Sequence, residues 1–170
     1  MSDPDVAAWY EAEELSLTGM EREFGDIIDG ADPVQGYLIV IDKEPAGYIQ
    51  AYRLSELPNY FSQLGLDRDR VSTDLFLGHA AYRNHGWGVP VLRAFLHSIV
   101  FGHFGADRAS ILPNPENARA IKVYERVGFV SSRVVAVHDA ETGKIENELI
   151  MLLDKDQFLA LEATRRASDV

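Results

Sequence analysis

The densest chemical signal in the chain is Tyr82-Arg83-Asn84-His85-Gly86-Trp87-Gly88-Val89-Pro90. It sits between a strand-like segment and an amphipathic segment. Its glycines let the backbone turn tightly and approach a ligand closely. A helix starting there offers free N–H groups and a dipole that favours negative charge. Arg83 adds a charge-assisted contact for phosphate. The loop therefore suits a pyrophosphate-bearing ligand, or it is a strand-to-helix turn in which the glycines serve geometry alone. It is not the dinucleotide fingerprint, because Val91 stands at the third glycine position, and no Gly-Lys-Ser/Thr marks a P-loop.

A second run, Pro113-Asn114-Pro115-Glu116-Asn117-Ala118-Arg119-Ala120-Ile121-Lys122-Val123-Tyr124-Glu125-Arg126-Val127-Gly128-Phe129, begins with two prolines that force an irregular exit from a strand. Asn117 suits a helix cap. Tyr124 lies two turns later on nearly the same face, where a core aromatic is the common occupant. His79 and His85 invite consideration as general bases, since imidazole titrates near neutrality. His97, His103 and His138 read as structural or solvated. No His/Asp/Glu spacing suggests a metal, and with no cysteine thiolate nucleophiles and cysteine metal sites are excluded.

The elements that must position these groups follow from the hydrophobic pattern. Tyr37–Ile41 and Gly47–Tyr52 read as strands of an antiparallel hairpin around Asp42–Pro45. Val71–Leu77 and Arg108–Leu112 read as further strands. Val91, Leu92, Phe95, Leu96, Ile99 and Val100 mark an amphipathic helix after Pro90. Asn117–Val127 is a second helix, stopped by Gly128. Phe129–Val137 and Asn147–Leu153 are strands around a turn at residues 141–144. Nearer the start, Asp3 and Pro4 suit a helix beginning, and Trp9 and Tyr10 form part of an apolar patch followed by Glu11, Glu13 and Glu14. Thr18 is a candidate cap for a helix with Met20, Phe24, Ile27 and Ile28 as its buried stripe. Residues 57–65 read as a short helix or irregular loop. The whole is an α/β chain with a mixed central sheet and helices on both faces.

A length of 170 residues suits one domain. The expected division is a single domain over residues 1–158 and a charged, frayed tail over 159–170. Sixteen basic against 27 acidic side chains give a net charge of −11, which argues against nucleic acid and an anionic membrane as partners. No apolar run approaches the roughly 18 residues of a spanning helix, and the start lacks a signal-peptide pattern. A cytoplasmic protein is expected, with a homodimer as the default for any oligomer.

Together the two motifs resemble the Gcn5-related N-acetyltransferase (GNAT) superfamily, whose Arg/Gln-x-x-Gly-x-Gly/Ala signature is matched by Arg83, Gly86 and Gly88. Its Asn-x-x-Ala-x-x-x-Tyr-x-x-x-Gly-Phe run is matched by Asn117, Ala120, Tyr124, Gly128 and Phe129. Within it the chain is similar to the aminoglycoside 6′-N-acetyltransferase-like group in the Pro-x-Pro-x-Asn-x-Arg-Ala-Ile segment, in Gly47-Tyr48-Ile49-Gln50, in Asp74 and in the Trp9-Tyr10 pair. The resemblance implies the GNAT fold and transfer of an acetyl group from acetyl-CoA to a primary amine of a small, cationic substrate, without a metal. It implies that the strand Val71–Leu77 splays from Arg108–Leu112 to admit the pantetheine arm. Leu75, Phe76 and Leu77 would then bind the pantetheine amides, and Asn84, His85, Gly86, Trp87 and Gly88, with Arg83, the pyrophosphate. Asn117 would sit beside the cofactor arm. By the same resemblance Tyr124 donates to the departing CoA sulfur, Asp74 orients the amine and takes or relays its proton, and Trp9 and Tyr10 line the substrate site.

Two departures bear on substrate and edge. The aminoglycoside group is expected to carry an acidic residue just before Pro-x-Pro, where this chain has Leu112. Only eight residues precede Trp9, so the usual first strand is expected to be missing or replaced at the sheet edge. Aminoglycoside 6′-N-acetylation is the specific expectation. The alternatives are a siderophore-type or other small-amine N-acyltransferase, or a non-catalytic CoA-binding or oligomerisation domain.

Overall fold

The computed structural model describes residues 17–138 and 143–168. Trp9, Tyr10, the nearby glutamates, the candidate first helix and the question of a first strand lie outside those residues.

Six strands form one mixed sheet: β1 Gln35–Ile41, β2 Glu44–Arg53, β3 Arg70–Leu77, β4 Arg108–Ile111, β5 Val130–His138 and β6 Ile145–Asp154. Their order is β1-β2-β3-β4-β6-β5. Only the β3–β4 pair is parallel; the others are antiparallel. Five helices are described: α1 Leu17–Ile28, α2 Pro58–Leu64, α3 Gly88–Phe95, α4 Ala118–Val127 and α5 Lys155–Ser168. A π-helical stretch, Leu96–His103, prolongs α3.

Strand periodicity sorts the side chains onto two faces. One face carries Ile49, Ala51, Val71, Ala109, Ile111, Met151 and Leu153, packed with Leu92, Phe95, Val127 and Phe158 of α3, α4 and α5 and with Leu96 of the π-helical stretch. The other carries Tyr52, Leu112, Val137 and Ile150, packed with Leu64 and, partly buried, Tyr60 and Phe61 of α2. Helix α1 meets this second face through an edge-on contact of Phe24 and Tyr48, centroids 5.2 Å apart. Helices thus cover both faces, as the mixed pattern of hydrophobic periods requires.

Two expectations change. Thr18 lies inside α1 rather than capping it, and Ile28 is exposed instead of joining a buried stripe. The tail expected to fray after Phe158 is instead helix α5, running to Ser168. Phe158 is fully buried, and Glu162 receives a two-pronged ion pair from Arg93 of α3, at 2.7 and 2.5 Å. Fork-to-carboxylate geometry of this kind fixes orientation as well as adding energy. The charged residues of the tail are therefore partly its anchor.

Candidate active site

The parallel strand pair is the one that opens. β3 pairs with β4 only through Arg70–Arg108, Val71–Ala109 and Ser72–Ser110. β3 then continues to Leu77, still paired on its other side with β2 as far as Gly47. Residues 73–77 therefore have no strand partner on the β4 side. Alternate N–H and C=O groups along that edge stand ready for an extended ligand to bond as a further strand. Leu75, Phe76 and Leu77 belong to this stretch. The two prolines after β4 explain the divergence, because Pro113 and Pro115 cannot donate to a ladder.

β3 leads into the glycine loop and then α3. A 3-10 turn, Ala80–Tyr82, precedes the loop, and the Tyr82 hydroxyl donates to the Ile41 carbonyl at 3.3 Å. Asn84 and Gly86 both have positive φ, 63° and 84°. The first N–H groups of α3 beyond this turn, on Gly88 and Val89, have no intrahelical acceptor. Gly88 answers to packing: a Cβ there would lie 3.1 Å from Val123 Cγ1 of α4. The close approach of α3 and α4 brings Arg119 to donate to Asn84 Oδ1 at 3.1 Å. His85 and Trp87 are exposed on the loop. The donors of this turn, beside Arg83, suit a phosphate-bearing ligand.

The two histidines do not enter a proton-transfer arrangement. His79 Nδ1 accepts from Ala81 N–H at 3.2 Å, so the ring caps the 3-10 turn. His85 Nδ1 lies 2.7 Å from the Arg83 carbonyl oxygen. Both rings are exposed. Among the described residues no group of three His, Cys, Asp or Glu side chains could hold a metal.

Asn117 caps α4, its side-chain oxygen accepting from Ala120 N–H at 3.1 Å. The cap fixes the helix start after the double proline and sets the phase of the turns that follow. Tyr124, two turns on, is then 7 % exposed and packs in the first core, its ring edge-on to Phe129. Among the described residues no hydrogen bond to the Tyr124 hydroxyl is present. Burial raises its pKa, and the charge of Asp74 raises it further. The phenol is thus held protonated and is coupled electrostatically to a carboxylate on β3, at the strand opening.

Asp74 opposes Gln50 across β2–β3. Gln50 Nε2 donates to Asp74 Oδ2 at 3.1 Å, and the Tyr52 hydroxyl also favours the ionised form of the same carboxylate. Burial lifts the Asp74 pKa above the ordinary value, against the lowering effect of those two donors. A second carboxylate, which the sequence reading missed, lies on the same sheet face. Glu148 of β6 accepts from the Tyr60 hydroxyl of α2 at 2.6 Å. Burial, with smaller contributions from Asp74 and Glu146, raises its pKa to about 7 despite that bond. Tyr52 and Tyr60 are raised well above the usual phenol value, by burial first and then by these carboxylates and, for Tyr60, by Tyr52. Asp74, Tyr52, Tyr60 and Glu148 thus form one acidic and phenolic network beside the open strands. The available signal for Glu148 was alternation in β6, which puts it on the face of Ile150 and opposite Leu149.

Chemically, the arrangement offers an extended-ligand edge, an anion-binding turn, a carboxylate made more basic by burial, and a protonated phenol. That set suits acyl transfer to an amine.

Known proteins are similar to this chain in sequence and in fold. The model for the acetyltransferase (GNAT) domain matches residues 1–137. The aminoglycoside N(6′)-acetyltransferase type 1 of Klebsiella pneumoniae is 24% identical over 136 residues, covering 79% of this chain and 67% of the relative. A crystal structure of aminoglycoside acetyltransferase AAC(6′)-Ib with coenzyme A and kanamycin superposes with a TM-score of 0.77 at 22% identity, over 96% of this chain and 88% of that one. The spermidine N-acetyltransferase of Vibrio cholerae with CoA and spermine gives 0.68 at 14% identity, over 92% and 86%.

Proposed function

The chain belongs to the GNAT acetyltransferase family, and from that membership we propose that it moves an acetyl group from acetyl-CoA to a primary amine of a small polycationic acceptor, an aminoglycoside 6′-amine being the specific candidate. The single observation that carries this reading is the parting of β3 from β4 after Ser72, with Asp74 and Tyr124 coupled beside the gap. The free edge of residues 73–77 binds the pantetheine amides. The turn from Asn84 to Gly88, with Arg83, holds the pyrophosphate. Asn117 borders the arm.

The reaction follows from those positions. The acceptor enters as an ammonium ion and must give up a proton before its nitrogen pair can attack. Asp74 attracts and orients the ammonium, and its raised pKa improves it as the group that takes or relays that proton. The neutral amine adds to the thioester carbonyl, forming a C–N bond and a tetrahedral oxyanion, which strand N–H groups can meet. The oxyanion then reforms the carbonyl as the C–S bond breaks; Tyr124 donates its phenolic proton to the departing sulfur and is reprotonated by the second proton lost from the adduct's nitrogen. The products are an N-acetyl amide and free CoA. A phenol kept protonated by burial is the required state for that donor. No cysteine is present, which rules out a cysteinyl acyl-enzyme and leaves direct attack on the thioester as the simpler route.

The preference for a cation rests on Asp74 and on the company it keeps. Among the described residues neither Asp74 nor Glu148 has an ion-pair partner, and no basic side chain contributes to either pKa shift. An incoming ammonium group therefore meets uncompensated acid. The molecules bound beside coenzyme A in two neighbours, kanamycin in one and spermine in the other, are polycations of this kind.

Calorimetric titration of the purified protein with CoA, followed by thiol release from acetyl-CoA in the presence of kanamycin, spermidine or a lysine derivative, tests the reading. CoA binding and amine-dependent release support it. No binding of CoA at millimolar concentration overturns it.

A further inference from the structure

We propose that Glu148, presented by Tyr60, is a specificity-determining residue that binds a second ammonium group of the acceptor while Asp74 holds the reacting one. The proposal deepens the acyl-transfer reading above and rests on it.

Leu112 follows β4 and packs in the apolar cluster beneath α2, so the chain places no carboxylate immediately before Pro113. Strand β6 runs past this point on the other side. Leu149 N–H donates to the Pro113 carbonyl at 2.8 Å, which carries β6 beyond the end of β4 and sets Glu148 beside Leu112 and Pro113. Strand alternation turns Glu148 to the face of Ile150, the face that also bears Leu112, Tyr52 and Asp74. β6 thus supplies a carboxylate where β4 ends in an aliphatic side chain.

Glu148 is held as a binding group would be. Its partner Tyr60 comes from α2, 88 residues away in sequence, and donates at 2.6 Å. One bond leaves most of the carboxylate's accepting capacity unused. The groups that bear on Glu148 are Tyr60 from α2, Asp74 from β3 and Glu146 from its own strand, and none of them is a cation. Two half-buried acids on one face without a counter-ion repel each other, and a ligand with two ammonium groups relieves both. The Tyr124 hydroxyl, on a residue 93 % buried, has no hydrogen-bond partner among the described residues and is coupled to Asp74. Among the described residues the site therefore presents two hydrogen-bonded carboxylates without a counter-ion, with the Tyr124 phenol on the Asp74 side.

Steady-state thiol release tests the assignment with wild type, Glu148→Gln and Glu148→Asp. The acceptors are kanamycin and spermidine, set against a monoamino sugar and butylamine. Glutamine keeps the size and an acceptor for Tyr60 but removes the charge. Losing a charge-assisted bond should raise KM for the polyamine that wild type uses by roughly ten- to a hundredfold. Turnover at saturation, monoamine kinetics and KM for acetyl-CoA should change little, and Glu148→Asp should recover part of the loss. An unchanged polyamine KM in Glu148→Gln overturns the assignment while leaving the acyl-transfer reading intact. So does an equal rise for monoamines, which would indicate a structural role. If wild type binds CoA but acetylates none of these amines, the acyl-transfer reading fails, and this inference with it.

Discussion

The Glu148→Gln substitution should stabilise the unliganded protein, and only at neutral to alkaline pH. Burial lifts the Glu148 pKa from 4.5 to about 7. Between those values the native state holds a proton that the unfolded chain has released. Stability therefore falls as pH rises through this window, and the full cost of the buried charge is present above it. At about 1.4 kcal/mol per pKa unit the cost is about 3 kcal/mol. Glutamine removes the charge yet still accepts from Tyr60. For a chain of this size each kcal/mol moves Tm by about 2–4 °C, so Glu148→Gln should melt roughly 6–12 °C above wild type at pH 8. Near pH 5, where native Glu148 is largely protonated, the two should melt nearly together. Differential scanning calorimetry of ligand-free protein at both pH values gives the comparison. Equal melting at pH 8, or a gain of the same size at pH 5, would refute the claim that an uncompensated carboxylate sits at this place.

Other perturbations give separate readings. Tyr124→Phe should lower kcat by about ten- to a hundredfold or more, in the range for a lost general acid, with CoA affinity unchanged by calorimetry; unaltered kcat would remove its role as proton donor. Asp74→Asn should cost kcat/KM most for polycations. Because the pKa of Asp74 is raised, wild-type kcat/KM should also fall on the acid side at a higher pH than an ordinary carboxylate would give, and that limb should vanish in the variant. Gly88→Val would drive a branched side chain into Val123 of α4, so it should weaken CoA binding and lower Tm together; normal binding would show that the α3–α4 approach is not needed. Asn117→Ala should cost about 1 kcal/mol in urea unfolding through the lost cap, and no loss would mean that the prolines alone start α4.

What the sequence disclosed was mostly local. The turn from Asn84 to Gly88, the cap at Asn117 and the phase that buries Tyr124 are all set by residues within two helical turns, so spacing alone locates them. The parting of β3 from β4 was implied by resemblance and by the prolines, and the register bears it out in the three residue pairs that the strands share. Glu148 and Tyr60 escaped notice for a physical reason. Their meeting depends on the β5–β6 register, which sets Glu148 opposite Val135, and on where α2 packs, neither of which is a short-range property. Tyr60 stood in a segment readable as helix or loop. Helix α5 was missed because charge was read as solvation, whereas Glu162 is engaged by Arg93 across the fold. Trp9 and Tyr10 lie outside the described residues, so their place at the substrate wall stays an expectation from sequence.

Mass spectrometry of a polyamine acceptor, incubated with acetyl-CoA and the purified protein, tests the central claim most directly. The account predicts an acceptor heavier by one acetyl group per CoA released, formed by wild type and strongly diminished with Tyr124→Phe. An acceptor of unchanged mass across kanamycin, spermidine and lysine derivatives, with CoA nevertheless bound, would contradict it.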